Sequence, residues 1–135
     1  MKVGAIAYRN TASGVEICLV SSRRHRDRLT FPKGIVKSGE PFVKAVKREL
    51  FEEAGLRGSV KRKSRPICFH GRPGETDPVL YFLVEVKKVS REWPEMDQRE
   101  RLFIGVEQLD GLSLSDGAKG IIKQVKKITR LRNNR

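Results

Sequence analysis

Cysteine is nearly absent: two residues in 135, Cys18 and Cys68, with no cysteine–histidine spacing of the zinc-finger kind. A disulfide-stapled framework and a structural zinc site are thereby excluded. Both cysteines sit in apolar segments, so the expectation is a pair of reduced, buried thiols in a cytoplasmic protein. Aromatic residues are few, at 7%, and Trp93 and Phe103 therefore read as packing residues rather than platforms for stacked bases. No run approaches the roughly 18 apolar residues of a membrane span, and no membrane partner is expected. The opening stretch Met1–Tyr8 is too short for a signal peptide and reads as a first strand. Low-complexity stretches and internal repeats are missing too. With 38% hydrophobic residues the chain holds one core's worth of apolar content, which points to a single domain over 1–135.

Acid is the scarcer charge, 16 Asp and Glu against 29 Lys and Arg, for a net charge of +13. The excess is concentrated. Seven bases and no acid lie between Lys119 and Arg135, five bases lie between Arg57 and Arg65, and four arginines surround Asp27 between Arg23 and Arg28. What remains of the chain is slightly acidic. A basic surface around an acidic site raises the local concentration of polyanions and steers them inward. The C-terminal helix and tail, about 115–135, read by themselves as a solvated basic face.

What is present in quantity is carboxylate at one place. The chain reads Gly34-Ile-Val-Lys-Ser-Gly-Glu40, then seven residues, then Arg48-Glu49-Leu50-Phe51-Glu52-Glu53-Ala54-Gly55-Leu56. Pro41 suits a first helical turn and Gly55 a left-handed helix end, so the spacing predicts a helix over 41–54. Val43, Val46, Leu50 and Ala54 form its apolar stripe, which should pack on a sheet while Glu49, Glu52 and Glu53 share a broad face toward a cleft. Like charges at this spacing cost roughly 0.2–0.5 kcal/mol per pair unless a counter-charge sits among them. Mg²⁺ or Mn²⁺ would supply it; Mg²⁺ uses one or two carboxylates, keeps waters and takes the rest of its shell from substrate phosphates. Glu40, at the helix start, can reach Arg48 as a brace.

The pattern of Gly, five residues, Glu, seven residues and Arg-Glu-x-x-Glu-Glu-x-Gly resembles the signature of the Nudix hydrolases and matches it at every defined position. Alternating segments predict strands at about 2–8, 15–22, 58–70 and 78–88, with turns at Asn10–Gly14 and Arg72–Pro78. A short strand follows at 102–106, then a turn or short helix, and Ser115 or Asp116 caps a final helix. That order suggests a mixed sheet with a helix on each side, the α/β/α sandwich that the resemblance also implies.

The resemblance further implies that Glu49 and Glu53 hold the metal with the carbonyls of Lys33 and Gly34, and that Glu52 accepts the proton of the attacking water. Glu75, Glu95 and Glu100 are the candidates for a further acidic ligand. The stretch Leu19–Pro32, with Val-Ser-Ser, Arg-His and Asp-Arg, is similar to the diphosphoinositol polyphosphate phosphohydrolase branch. On that similarity Lys2, Ser22, Arg24, Lys33, Gly34 and Arg101 are implied as substrate contacts, with Arg99, His70 and Arg72 behind them. His25 reads equally as a turn residue or as a phosphate contact. The implied activity is Mg²⁺-dependent hydrolysis of a phosphoanhydride in a highly phosphorylated small molecule, a diphosphoinositol or dinucleoside polyphosphate. The alternatives are removal of pyrophosphate from an RNA 5′ end or from nucleoside triphosphates, and a non-catalytic module that binds polyanions.

Overall fold

A computed structural model describes residues 1–71 and 78–133. Strand β1 (Lys2–Thr11) turns at residues 12–13 into β2 (Gly14–Ser21), an antiparallel hairpin with Tyr8 opposite Ile17 and Thr11 opposite Gly14. Gly14 has φ +124°, a left-handed value that only glycine takes without strain, which fixes the end of this turn. Then follow β3 (Leu29–Thr30), β4 (Lys33–Ile35), helix α1 (Phe42–Ala54), β5 (Leu56–Val60), β6 (Ile67–Phe69), β7 (Val79–Val89), β8 (Arg101–Gly105), a 3-10 turn at Val106–Gly111 and helix α2 (Asp116–Asn133).

All eight strands join one sheet with the path β3-β2-β1-β7-β5; β4 adds to β1, β6 to β7 and β8 to β2. β1 and β7 run parallel and the remaining pairs antiparallel, so the sheet is mixed. Alternate residues of β1 face opposite sides. Val3, Ala5 and Ala7 pack with Ala45, Val46, Leu50 and Ala54 of α1, whereas Ile6 and Tyr8 pack with Ala118, Ile121, Ile122 and Val125 of α2. The result is the expected α/β/α sandwich, with an apolar layer on each face of the sheet. Among the described residues, no helix is long and apolar enough to cross a membrane.

Three expectations change. The strand predicted over 58–70 is two strands, because residues 61–66 turn at Lys61–Ser64, where the Ser64 N–H donates to the Lys61 carbonyl at 3.0 Å. β3 and β4 are too short, at two and three residues, for periodicity to register them, yet β4 is what brings Lys33 and Gly34 under α1. Cys18 is buried, and burial pushes its thiol up to about 12, but Cys68 is exposed on the short strand β6. The predicted 72–78 turn lies outside the described residues except for Pro78.

Candidate active site

The site is built where β4 meets the side of α1. β4 pairs antiparallel with β1, Val3 opposite Gly34 and Gly4 opposite Lys33, which presses its backbone against the helix. A Cβ at Gly34 would overlap the Glu49 carboxylate, so only glycine lets that carboxylate lie on the strand. One turn on, Glu53 Oε1 accepts the backbone N–H of Lys33 at 3.3 Å. Glu49 and Glu53 are 8% and 3% exposed, a degree of burial that carboxylates tolerate only when paired.

Their carboxyl groups are within hydrogen-bonding reach of one another, and Glu53 is pushed up to about 8. Burial is the chief cause, and the Arg99 guanidinium offsets part of what the neighbouring Glu49 adds. The pair therefore needs a shared proton or a cation. All of its donors are hard oxygens, which suits a small divalent ion such as Mg²⁺.

Glu52 stands offset from this pair. It lies about 100° round the helix from Glu53, half-exposed, with only a 3.5 Å contact to Arg48 Nη1. Among the described residues no cluster of three or more His, Cys, Asp or Glu side chains is gathered as a metal site. Arg48 is the brace anticipated from sequence. Its Nε and Nη2 donate to Glu40 at 2.8 and 2.9 Å, its Nη1 to Glu49 at 2.6 Å, and its Nη2 also to the Ile35 carbonyl at 3.0 Å. That fork, aided by the Lys37 N–H, holds the Glu40 carboxyl down at about 2.

The end of α1 is capped from outside. The final four carbonyls of a helix lack partners within it. Here the Phe51 carbonyl takes the Gly55 N–H (2.9 Å), Glu52 the Glu95 N–H (3.0 Å), Glu53 the Trp93 Nε1–H (3.0 Å) and Ala54 the Arg101 guanidinium (2.9 Å). Gly55 adopts φ +67°, and Trp93 packs so closely on it that a Cβ there would come within 2.9 Å of the indole. Segment 93–101 thus fixes the turn that carries Glu52 and Glu53. Sequence reading gives Trp93 as a packing residue and Glu95 as a candidate ligand, but nothing in it ties either to the end of α1 some forty residues upstream.

Arg101, read from sequence as a substrate contact, is here an anchor. Its Nη1 donates to both Ala54 O and Ser90 O (2.8 Å), and its guanidinium lies 4.2 Å from the Trp93 ring centroid. Arg99 is an internal strut as well, on Glu95 (2.7 Å), the Ser21 carbonyl (3.0 Å) and Glu53 (3.5 Å). Ser22 organises its own loop: its Oγ accepts the His25 N–H at 3.3 Å and its N–H donates to Arg28 O at 2.8 Å. Arg28 N–H donates to His25 O at 2.9 Å, so His25 sits in a turn. Arg24 is exposed on that loop. His70 is exposed with its Nε2 3.4 Å from Cys68 Sγ, while Arg72 and Glu75 lie outside the described residues.

On the α2 side of β4, Lys33 and Lys2 come close together. Burial and then the charge of Lys2 lower the proton affinity of Lys33. A Cβ at Gly117, in the first turn of α2, would lie 3.2 Å from the Tyr81 hydroxyl and 3.7 Å from Lys33 Nζ. The Tyr81 hydroxyl is buried and has no hydrogen-bond partner among the described residues. Sequence reading passed over Tyr81 because its place in an apolar strand marks it as core, and its ring is core, edge-on to Phe31 at 5.7 Å.

The NUDIX domain family matches residues 1–126. "Nudix hydrolase 13, mitochondrial" of Arabidopsis thaliana is 32% identical over 104 residues, covering 70% of this chain and 51% of its own length. "Nudix hydrolase 4" of the same plant is 28% identical over 116 residues, covering 78% and 55%. The chain thus spans about half the length of these relatives. Among solved structures, the C. elegans Ap4A hydrolase binary complex superposes with a TM-score of 0.70 at 21% identity over 100% of both chains. The M. smegmatis Nudix hydrolase RenU gives 0.70 at 17% identity, over 96% of this chain and 85% of that one.

Proposed function

Because the chain belongs to the Nudix family, we propose that it hydrolyses a phosphoanhydride bond in a dinucleoside polyphosphate, using Mg²⁺, with Mn²⁺ as substitute. The observation that carries this reading is the buried Glu49–Glu53 pair, with the Glu49 carboxylate pressed on the bare Cα of Gly34 and Glu52 left partly exposed beside it. Glu49 and Glu53, with the carbonyls of Lys33 and Gly34, would hold the ion. When bound, it polarises phosphoryl oxygen and acidifies water. Glu52 accepts a proton from the attacking water; its partial exposure and its loose contact with Arg48 leave a lone pair free to do so.

Lys33 and Lys2, which lie close together beside the strand that carries Gly34, receive charge on the departing phosphate. Ser22 and Arg24 keep their place in the reading as loop contacts to the phosphate chain. For the substrate, the full-length likeness to an Ap4A hydrolase supports the dinucleoside form. The diphosphoinositol reading has no such support, since the relatives found are plant Nudix hydrolases. Two free thiols suit a reducing compartment such as the cytoplasm.

The test is a panel with Mg²⁺ and product identification: diadenosine tetraphosphate, a diphosphoinositol polyphosphate, ATP and 5′-triphosphorylated RNA. The expected result is the highest kcat/KM on diadenosine tetraphosphate, falling by roughly 10²–10⁴ in Glu52→Gln. No turnover of any of the four, or a variant as active as wild type, would overturn it.

A further inference from the structure

Glu95 enters from the sequence as a candidate for a further acidic ligand, but its carboxylate is taken: Oε1 accepts the Arg99 Nε–H at 2.7 Å. The local backbone sets this pair. The Gln98 and Arg99 N–H groups both donate to the Glu95 carbonyl, at 2.9 and 3.1 Å, a helix-like turn that puts residues four apart on one side. The Glu95 and Arg99 side chains are 20% and 10% exposed, so salt screens their attraction less than it would at the surface.

Arg99 has two more partners: its Nη1 donates to the Ser21 carbonyl at 3.0 Å, and its Nη2 lies 3.5 Å from Glu53 Oε1. The contact to Glu53 is the longest of the three, so the guanidinium is held chiefly from the Glu95 side. The same arrangement recurs across the carboxylate pair. Arg48 reaches Glu49 at 2.6 Å and is held from outside by Glu40 at 2.8 and 2.9 Å. Each buried carboxylate thus has an arginine beside it, and each arginine is tied to an outer glutamate.

A cation entering the pair meets these arginines twice over, as like charges and as competitors for the same oxygens. An outer carboxylate lessens both effects, because it cancels part of the guanidinium charge and keeps hold of the guanidinium when the inner oxygen is given up. Glu95 is itself fixed to the helix that carries the pair, since its backbone N–H donates to the Glu52 carbonyl at 3.0 Å.

We propose that Glu95 is a positioning residue for the metal and acts through Arg99: it holds the guanidinium back from Glu53 and leaves that carboxylate to the ion, without being a ligand. The assignment rests on the reading of Glu49 and Glu53 as the residues that hold the metal.

The test is a titration of Mn²⁺ into the intact chain, with the free ion read by electron paramagnetic resonance and the hydration of the bound ion by water proton relaxation. Glu95→Gln keeps the backbone contact to Glu52 and lets Arg99 close on Glu53. Mn²⁺ affinity is expected to fall about 10–100-fold, with the relaxation per bound ion unchanged because the ligands are unchanged. In an Arg99→Gln background the same substitution is expected to change affinity less than about two-fold. A loss of full size in that background, a bound ion that gains a water in Glu95→Gln, or a Glu95→Gln affinity equal to wild type would each overturn the proposal. Should Arg99→Gln fail to fold, affinity and relaxation of Glu95→Gln alone separate a ligand from a positioning residue. Wild type that binds no Mn²⁺ overturns the metal reading along with the proposal, whereas tight binding that Glu95→Gln leaves untouched overturns the role of Glu95 alone.

Discussion

Glu53 couples the site to stability in a way that can be measured without substrate. In the folded, metal-free chain it is pushed up to about 8 from an ordinary 4.5, first by burial. A carboxyl that holds its proton more tightly when folded contributes stability that is complete below pH 4.5 and is lost as pH rises through about 8. The gap, at about 1.36 kcal/mol per pH unit, sets a ceiling of about 5 kcal/mol, and a realistic loss is on the order of 2–4 because water and the Arg99 guanidinium relax around the ion. Glu53→Gln mimics the protonated acid in shape and cannot ionise. The variant should match wild type near pH 4.5 and exceed it increasingly toward pH 8.5 in chelator. Urea unfolding at several pH values reads the difference between the two, which cancels the titrating groups that do not touch Glu53. Curves that stay parallel from pH 4.5 to 8.5 would refute the claim that Glu53 is buried against Glu49.

Three further outcomes follow from contacts already described. Gly34→Ala puts a methyl into the Glu49 carboxylate, so the chain should fold with a loss of about 1–3 kcal/mol while turnover falls at least about 100-fold; urea unfolding and a rate assay check this. Arg101→Ala leaves the Ala54 and Ser90 carbonyls unpartnered and should cost about 2–3 kcal/mol of stability, with kcat reduced more than KM is raised, the opposite of a lost substrate contact. Tyr81→Phe removes a buried hydroxyl that has no partner among the described residues; stability in urea unfolding should hold or rise by up to about 1 kcal/mol, and a loss of more than that would contradict the reading of this hydroxyl as unpartnered.

The central helix was readable from sequence because its signals are local: an apolar stripe, an αL glycine at its end, and acids at fixed spacing. The structure buries Ala45 fully and Val43 only in part, so the stripe widens on the Ala45 side of Val46. The brace between Glu40 and Arg48 was equally legible, since both residues belong to the same short stretch. Trp93 and Arg101 were not, because their work is done across some forty residues on the last carbonyls of α1, and a carbonyl leaves no mark in a side-chain sequence. Lys33 and Gly34 were reached through resemblance, while the strand that positions them is too short to show a period.

A crystal of the chain soaked in Mn²⁺ and measured for anomalous scattering tests the account most directly. The expected map has a single strong peak bounded by the Glu49 and Glu53 carboxylates beside Gly34, with Arg48 or Arg99 drawn back from the oxygens it now holds. A map with no peak there, both arginines still seated on their glutamates, would contradict the claim that this helix exists to hold a metal.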